Sequence, residues 1–155
     1  MPYRRSDWHE HLWEVWGEYR AARTAIDRLK EMAAATPDLL KNDREARLYL
    51  RSASRNLEGT YIVRLFAAFE AALRSFDRAR PKDPNRETHS GVLIDEIAGK
   101  RGRGITNDIR RHTHEVRRVR NFWAHEEETD PGPMTVEEAR SRLQTFLREL
   151  PDLWD

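Results

Sequence analysis

Between Asp43 and Arg80 no proline interrupts the chain, and the second half of that stretch reads Tyr61-Ile-Val-Arg-Leu-Phe-Ala-Ala-Phe-Glu-Ala-Ala-Leu-Arg-Ser-Phe76. A helix with that order is apolar almost all the way round, so other elements must wrap it. It is expected to be the central, most buried helix of a bundle. Gly59 alone breaks the helical composition of the stretch, and it predicts a kink or a restart between Asn56 and Thr60, at roughly 1 kcal/mol for a glycine inside a helix.

The rest of the chain supplies helices to do the wrapping. Trp8, Leu12, Val15, Tyr19, Ala22, Ile26, Leu29 and Ala33 recur at alternating spacings of four and three, the apolar stripe of a long amphipathic helix. Ser6 or Asp7 can cap it. It should end near Ala35, because Pro37 drives Thr36 out of the helical region. Trp13 and Trp16 lie beside the stripe and widen its apolar arc, which suggests a second packing surface. Thr36 or Asp38 can open the next helical stretch. A loop is expected from Arg80 to Thr88, where Pro81, Pro84 and Asn85 fall. A short helix follows, capped by Thr88 or Ser90 and carrying Val92, Leu93, Ile94, Ile97 and Ala98, with His89 a surface or capping residue. Thr106 or Asn107 then caps a helix whose stripe is Ile105, Ile109, His112, Val116, Val119 and Trp123. His112, being on that stripe, is expected to be buried and hydrogen-bonded. After the acidic turn Glu126 to Pro133, Thr135 and Glu138 stand in a capping-box arrangement ahead of Val136, Ala139, Leu143, Phe146, Leu147 and Leu150. Leu153 and Trp154 can fold back as a clasp. No strand pattern or repeat competes. The expected architecture is all-α, a single domain over residues 1–155 built as an up-and-down bundle of four or five helices.

Composition narrows the function classes. The chain has 155 residues and no cysteine, which excludes a disulfide framework and cysteine-based zinc sites and fits a reducing compartment. No apolar run reaches membrane length and the amino terminus has no signal-peptide apolar region, so the expectation is a soluble cytoplasmic protein with no membrane partner. The net charge is only +1, yet it is uneven. From Lys100 to Arg120 eight basic residues face Asp108 and Glu115, a local +6. Gly99 to Gly104 places three glycines among Lys100, Arg101 and Arg103, and such a loop either contacts phosphates or is a solvated linker.

Within that basic region, Arg120, Asn121 and His125 form the candidate site. Metal-free cleavage of RNA needs a base for the ribose 2′-hydroxyl, a donor for the leaving oxygen and positive charge on the phosphate. His125 suits the first or second task because imidazole titrates near neutral pH. Arg120 suits the third, with a planar fork of donors that never loses its charge. Asn121 shares a helical face with His125 and can hold the imidazole tautomer or bind phosphate. On a regular helix Arg120 and His125 lie roughly 140° apart and about 7.5 Å along the axis, so the helix must loosen, Arg120 must wrap round, or two copies must meet at a two-fold axis. The competing reading makes Arg120 a cation–π cover for Trp123 and His125 a helix-end residue complementing the dipole. Glu70, a carboxylate in the central apolar helix, either pairs with Arg74 four residues on or orients Arg120 or His125 from a facing helix. His9 with His11, and His112 with His114, diverge by about 200° on a helix and do not form a metal site. No motif for a bound cofactor is present.

The segment Arg120-Asn-Phe-Trp-Ala-His125 resembles the R-N-x-x-x-H motif of the HEPN superfamily, small all-helical domains that include many metal-independent ribonucleases of toxin, anti-phage and RNA-processing systems. Its position late in the chain, on a helix following a long apolar one, is similar too, as is Phe69 followed by Glu70. The resemblance implies an RNA endonuclease acting by 2′-hydroxyl transesterification, a homodimer with the site at its interface, and a partner protein such as an antitoxin. Arg120, Asn121 and His125 would be its catalytic residues, supported by Glu70. Lys100, Arg101, Arg103, Arg117 and Arg118 would line the RNA path. A non-catalytic module of the same family, binding a nucleotide, nucleic acid or protein through the same cleft, is the second expectation, and a purely structural oligomerisation domain the third.

Overall fold

The computed structural model describes residues 4–79, 88–99, 104–125 and 129–154. Among the described residues five helices follow one another: α1 (Arg5–Ala35), α2 (Arg44–Arg78), α3 (Ser90–Gly99), α4 (Asn107–His125) and α5 (Val136–Arg148). Among the described residues there is no strand, only an isolated bridge between Arg4 and Leu153. None of the described helices is long and apolar enough to cross a membrane.

The second half of α2 is the centre of the bundle. Ile62, Leu65, Phe66, Phe69, Ala72, Leu73 and Phe76 are all buried there. Around them pack Trp8, Leu12 and Val15 of α1, Leu93, Ile94 and Ala98 of α3, Val116 and Val119 of α4, and Val136, Ala139, Leu143, Phe146 and Leu147 of α5. Phe69 meets Phe146 edge-on at 5.5 Å between ring centroids. Most of the periodic apolar positions are therefore core, while Tyr19, Ala22, Ile26, Leu29, Ala33, Ile97 and Ile109 are half-buried and Trp123 is exposed. Val92 is exposed. His112 is only half-buried, and Thr113 beside it takes the buried position, its hydroxyl donating to the Ile109 carbonyl at 2.9 Å. A hydroxyl that returns to its own helix can be buried at little cost; a ring with two nitrogens needs partners elsewhere.

α2 runs without a break through Gly59, in place of the expected restart. The glycine is there for packing. A Cβ on Gly59 would lie 2.5 Å from Cε3 of Trp123 and closer still to Cδ2 and Cε2, so its absence lets the indole of α4 lie on the backbone of α2.

Local signals set the helix ends. The Asp43 side chain accepts from the Ala46 amide at 2.8 Å, so α2 begins there and not at Thr36 or Asp38. Thr106 Oγ1 accepts from the Ile109 amide. Thr135 Oγ1 accepts from the Glu138 amide at 3.1 Å, while Glu138 itself takes a bond from Arg142, so the capping box is used on one side. Replacing Thr135 with alanine leaves that amide without its acceptor, and we expect a loss of about 1 kcal/mol, read as a lower denaturant midpoint with an unchanged slope.

The two chain ends close the bundle. The Arg5 side chain donates to the Arg148 and Leu150 carbonyls at 2.6 and 2.9 Å and pairs with Asp152. Trp154 is buried between Trp8 and Phe76, whereas Leu153 is exposed, so the clasp is made by the tryptophan alone. His9 lies in this region, its pKa lowered from the ordinary 6.5 by burial and then by the charges of Arg148 and Arg5. The unfolded chain therefore takes up a proton that the folded chain declines. Stability should fall as pH drops below about 6.5 and continue falling through the folded pKa. Thermal melts at pH 7.5 and 5.5 should differ less in His9→Gln than in the wild type.

The outer parts of α1 and α2 form an antiparallel arm. Tyr19 meets Glu58 and Tyr61, and Arg23 reaches the Ser54 carbonyl. From Trp16 to Ala35 and from Arg44 to Glu58 no residue is buried, because two helices alone cover only one stripe of each other. The wide apolar arc of α1 is partly used within the chain. The guanidinium of Arg140 lies 4.0 Å from the Trp13 ring and 4.8 Å from that of Trp16.

Candidate functional site

A ridge of polar residues runs down one side of α4. His114, Arg117, Asn121 and His125 follow at spacings of three and four, which places them on one face. They look into a cleft of about 560 Å³ between α4, α3 and the middle of α2, whose wall also includes Glu70, Arg74, Asp95 and Arg120. The structure thus brings Arg120, Asn121, His125, Glu70 and Arg117 together.

Arg120 reaches the others by bending its side chain around a regular helix. α4 remains helical through His125. The Arg120 guanidinium lies over the Phe66 ring at 5.6 Å, and from there one nitrogen, Nη1, donates to Asn121 Oδ1 at 2.9 Å and faces His125 Nε2 at 3.2 Å. The aromatic partner of Arg120 is Phe66; Trp123 is occupied with Gly59. Arg120 has only donors, so a hydrogen bond at this contact takes the His125 nitrogen as acceptor, with the ring proton on Nδ1. That is the state in which imidazole can take a proton.

The charges around the cleft are unequally paired. Glu70 Oε1 accepts from Arg74 at 2.6 and 3.2 Å, and Arg74 continues to the Thr88 carbonyl at 3.1 Å. Glu70 is thus half-buried as an ion pair that ties α2 to the start of α3, on the wall of the cleft and without a bond to Arg120 or His125. Asp95 pairs with His114 at 2.8 Å and stands 3.8 Å from Arg110. Arg117 and Arg120 have no carboxylate within ion-pair distance among the described residues, and the Nε atom of each is buried with no hydrogen-bond partner there. Two guanidinium groups without counterions among the described residues, at one end of a cleft, suit an anion. Arg117 packs against Gly91, its Cζ 3.4 Å from where a Cβ would stand, an ordinary contact distance.

Other sequence expectations fall elsewhere. Arg118 is exposed and points away from the cleft, into a shallow depression with Glu115 and Arg142. Lys100, Arg101 and Arg103 lie outside the described residues, as do Arg80, Pro81, Pro84, Asn85 and Glu126. His11 pairs with Glu14 at 3.1 Å. Among the described residues no group of three or more His, Asp or Glu side chains is placed to hold a metal ion. Sequence reasoning passed over His114, Asp95 and Arg74 as cleft residues. His114 could have been found, since it stands three helical turns before His125 on the same face.

Compared with protein-family models, with curated proteins and with solved structures, the chain returns no match.

Proposed function

We propose that this protein is a HEPN-type endoribonuclease that cuts RNA by transesterification without a metal ion. The observation that carries the reading is the contact between Arg120 and the acceptor nitrogen of His125, in a cleft where Arg120 and Arg117 have no described carboxylate to neutralise them. His125 Nε2 takes the proton of a ribose 2′-hydroxyl. The 2′-oxygen attacks the adjacent phosphorus, the bond to the 5′-oxygen breaks, and the products are a 2′,3′-cyclic phosphate and a 5′-hydroxyl. Arg120 and Arg117 hold the phosphate oxygens as negative charge builds on them. Asn121 keeps Arg120 in place through its Oδ1 atom.

The leaving oxygen needs a proton while His125 is acting as base. His114 lies eleven residues earlier, about 16 Å along the helix, too far to serve the same phosphate. A second copy of the chain would bring a second imidazole to the cleft, and this is our reason for proposing a homodimer. Convergence of Arg120 with His125 does not require it. A toxin or defence role, with a partner protein, rests on the motif resemblance alone.

The test is incubation of the purified protein with mixed RNA in EDTA. Fragments ending in a 2′,3′-cyclic phosphate are expected. Intact RNA across pH 6 to 9 would sink the enzymatic reading. Salt-sensitive binding to RNA without any cleavage would instead support the non-catalytic module, which the unneutralised arginines of the cleft also suit.

A further inference from the structure

A buried apolar stripe of α2 can be followed through Ile62, Phe66, Phe69, Leu73 and Phe76 at spacings of four and three. Followed the other way, past Gly59, the same spacing continues through Arg55, Arg51, Arg47 and Arg44. One stripe of one helix therefore changes from apolar to arginine. The change falls where its cover ends, since Trp123 lies on Gly59 and α4 stops at His125. Beyond that point neither α4 nor α5 covers α2, and all four arginines are exposed.

These arginines differ from those on the other helix of the arm. On α1, Arg23 pairs with Asp27 and Arg28 with Glu31, while Arg20 lies over the Trp16 ring. Arg44, Arg47, Arg51 and Arg55 have no ion-pair partner among the described residues. They span about 16 Å of helix within an arc of about 80°, so they form a line of guanidinium groups.

The line begins beside the end of α4. Arg55 shares a depression with Glu58, Phe122, Trp123 and Asp130, separate from the cleft, and Trp123 stands two residues before His125 on the opposite side of α4. α4 runs antiparallel to α2, with Trp123 on Gly59 and Arg120 over Phe66. A polymer leaving the cleft past His125, along the direction in which α4 points, would meet Arg55 first and then Arg51, Arg47 and Arg44.

The geometry points to this stripe as the track for the phosphate backbone of the RNA beyond the cut, which rests on the ribonuclease reading of the cleft and deepens it. The substrate is then a single-stranded RNA several nucleotides longer than the scissile step. Arginine suits the task because its planar fork matches phosphate oxygens and its charge is permanent. A second copy of the chain is a poor occupant, since a two-fold axis would set four like charges against four more.

The test measures binding, so that it is independent of cleavage. A fluorescein-labelled single-stranded RNA of about 20 nucleotides is titrated with His125→Ala protein, with and without R44Q/R47Q/R51Q/R55Q, between 50 and 200 mM salt. Four phosphate contacts contribute a slope of about 0.7 each in log affinity against log salt. The protein with its arginines should lose about 50-fold more affinity over that range than the glutamine variant does. R44K/R47K/R51K/R55K should keep the steep slope, and all forms should melt alike because the four side chains are exposed. Equal slopes with arginine and glutamine would overturn the proposal. So would equal slopes with loss of an acidic protein partner in the glutamine variant, which would reassign the stripe to that partner. Absence of cleavage by the wild type defeats the ribonuclease reading and is read separately from the slope.

Discussion

On the ribonuclease reading proposed for the cleft, replacing His125 with alanine should lower the rate of RNA cleavage by about 10²- to 10⁴-fold, the usual contribution of a positioned general base, while leaving the melting temperature nearly unchanged. The side chain stands exposed at the last position of α4, so its removal opens no cavity. Its described hydrogen-bonding partner is Arg120. Arg120→Ala should remove activity to a similar extent and also cost some stability, because the guanidinium covers Phe66. Arg120→Lys separates the two roles of the residue. It keeps a charge near the phosphate but loses the planar fork through which the arginine can bond Asn121 and still present donors to an anion. We expect activity between those of wild type and alanine. Cleavage rates measured on one RNA at saturating and sub-saturating concentration, alongside thermal melts, decide the matter. His125→Ala within about threefold of wild type would remove the imidazole from the chemistry.

The second large effect is at Gly59. Alanine in place of glycine inside a helix ordinarily stabilises by about 1 kcal/mol. Here the new methyl would overlap the indole of Trp123, and overpacking of that kind costs about 1–3 kcal/mol. Gly59→Ala should therefore destabilise the wild type. In a Trp123→Ala background the obstruction is gone and the same substitution should stabilise, so its sign reverses. The displaced indole is two residues from His125, and cleavage by the single variant should fall with its stability. Urea unfolding of the four proteins in this cycle gives the coupling. A stabilising Gly59→Ala in the wild-type background would mean that the two helices do not meet in this way.

Much of this architecture was legible because helical burial is periodic. Every position of the stripe from Val136 to Leu150 is buried, although Arg140 and Gln144 of α5 are buried as well. The capping residues at Thr106 and Thr135 are readable for a similar reason, since a cap acts within three residues of itself. Where local reading failed, the deciding contact was distant in sequence. Gly59 looks like a break until Trp123 is known to lie on it. Trp13 and Trp16 suggest a second packing surface, and part of it is taken by Arg140 of α5. His112 sits on the apolar period, but the orientation of α4 gives the buried place to Thr113.

The candidate site divides along the same line. The sequence by itself determined that a guanidinium, an amide and an imidazole stand close together on one helix in a basic region, and that this helix belongs to an all-α bundle. Helical arithmetic alone set Arg120 and His125 on different faces. Only the tertiary structure decided that Arg120 lies over Phe66, and from there meets His125 within one chain. It also decided that Glu70 is held by Arg74, and that the arginines of α2 emerge where α4 ends. The physical reason is range. Backbone hydrogen bonding and side-chain period act over a few residues and leave their mark in the local sequence. The direction of a long flexible side chain, and the counterions it finds, depend on surfaces brought together by packing.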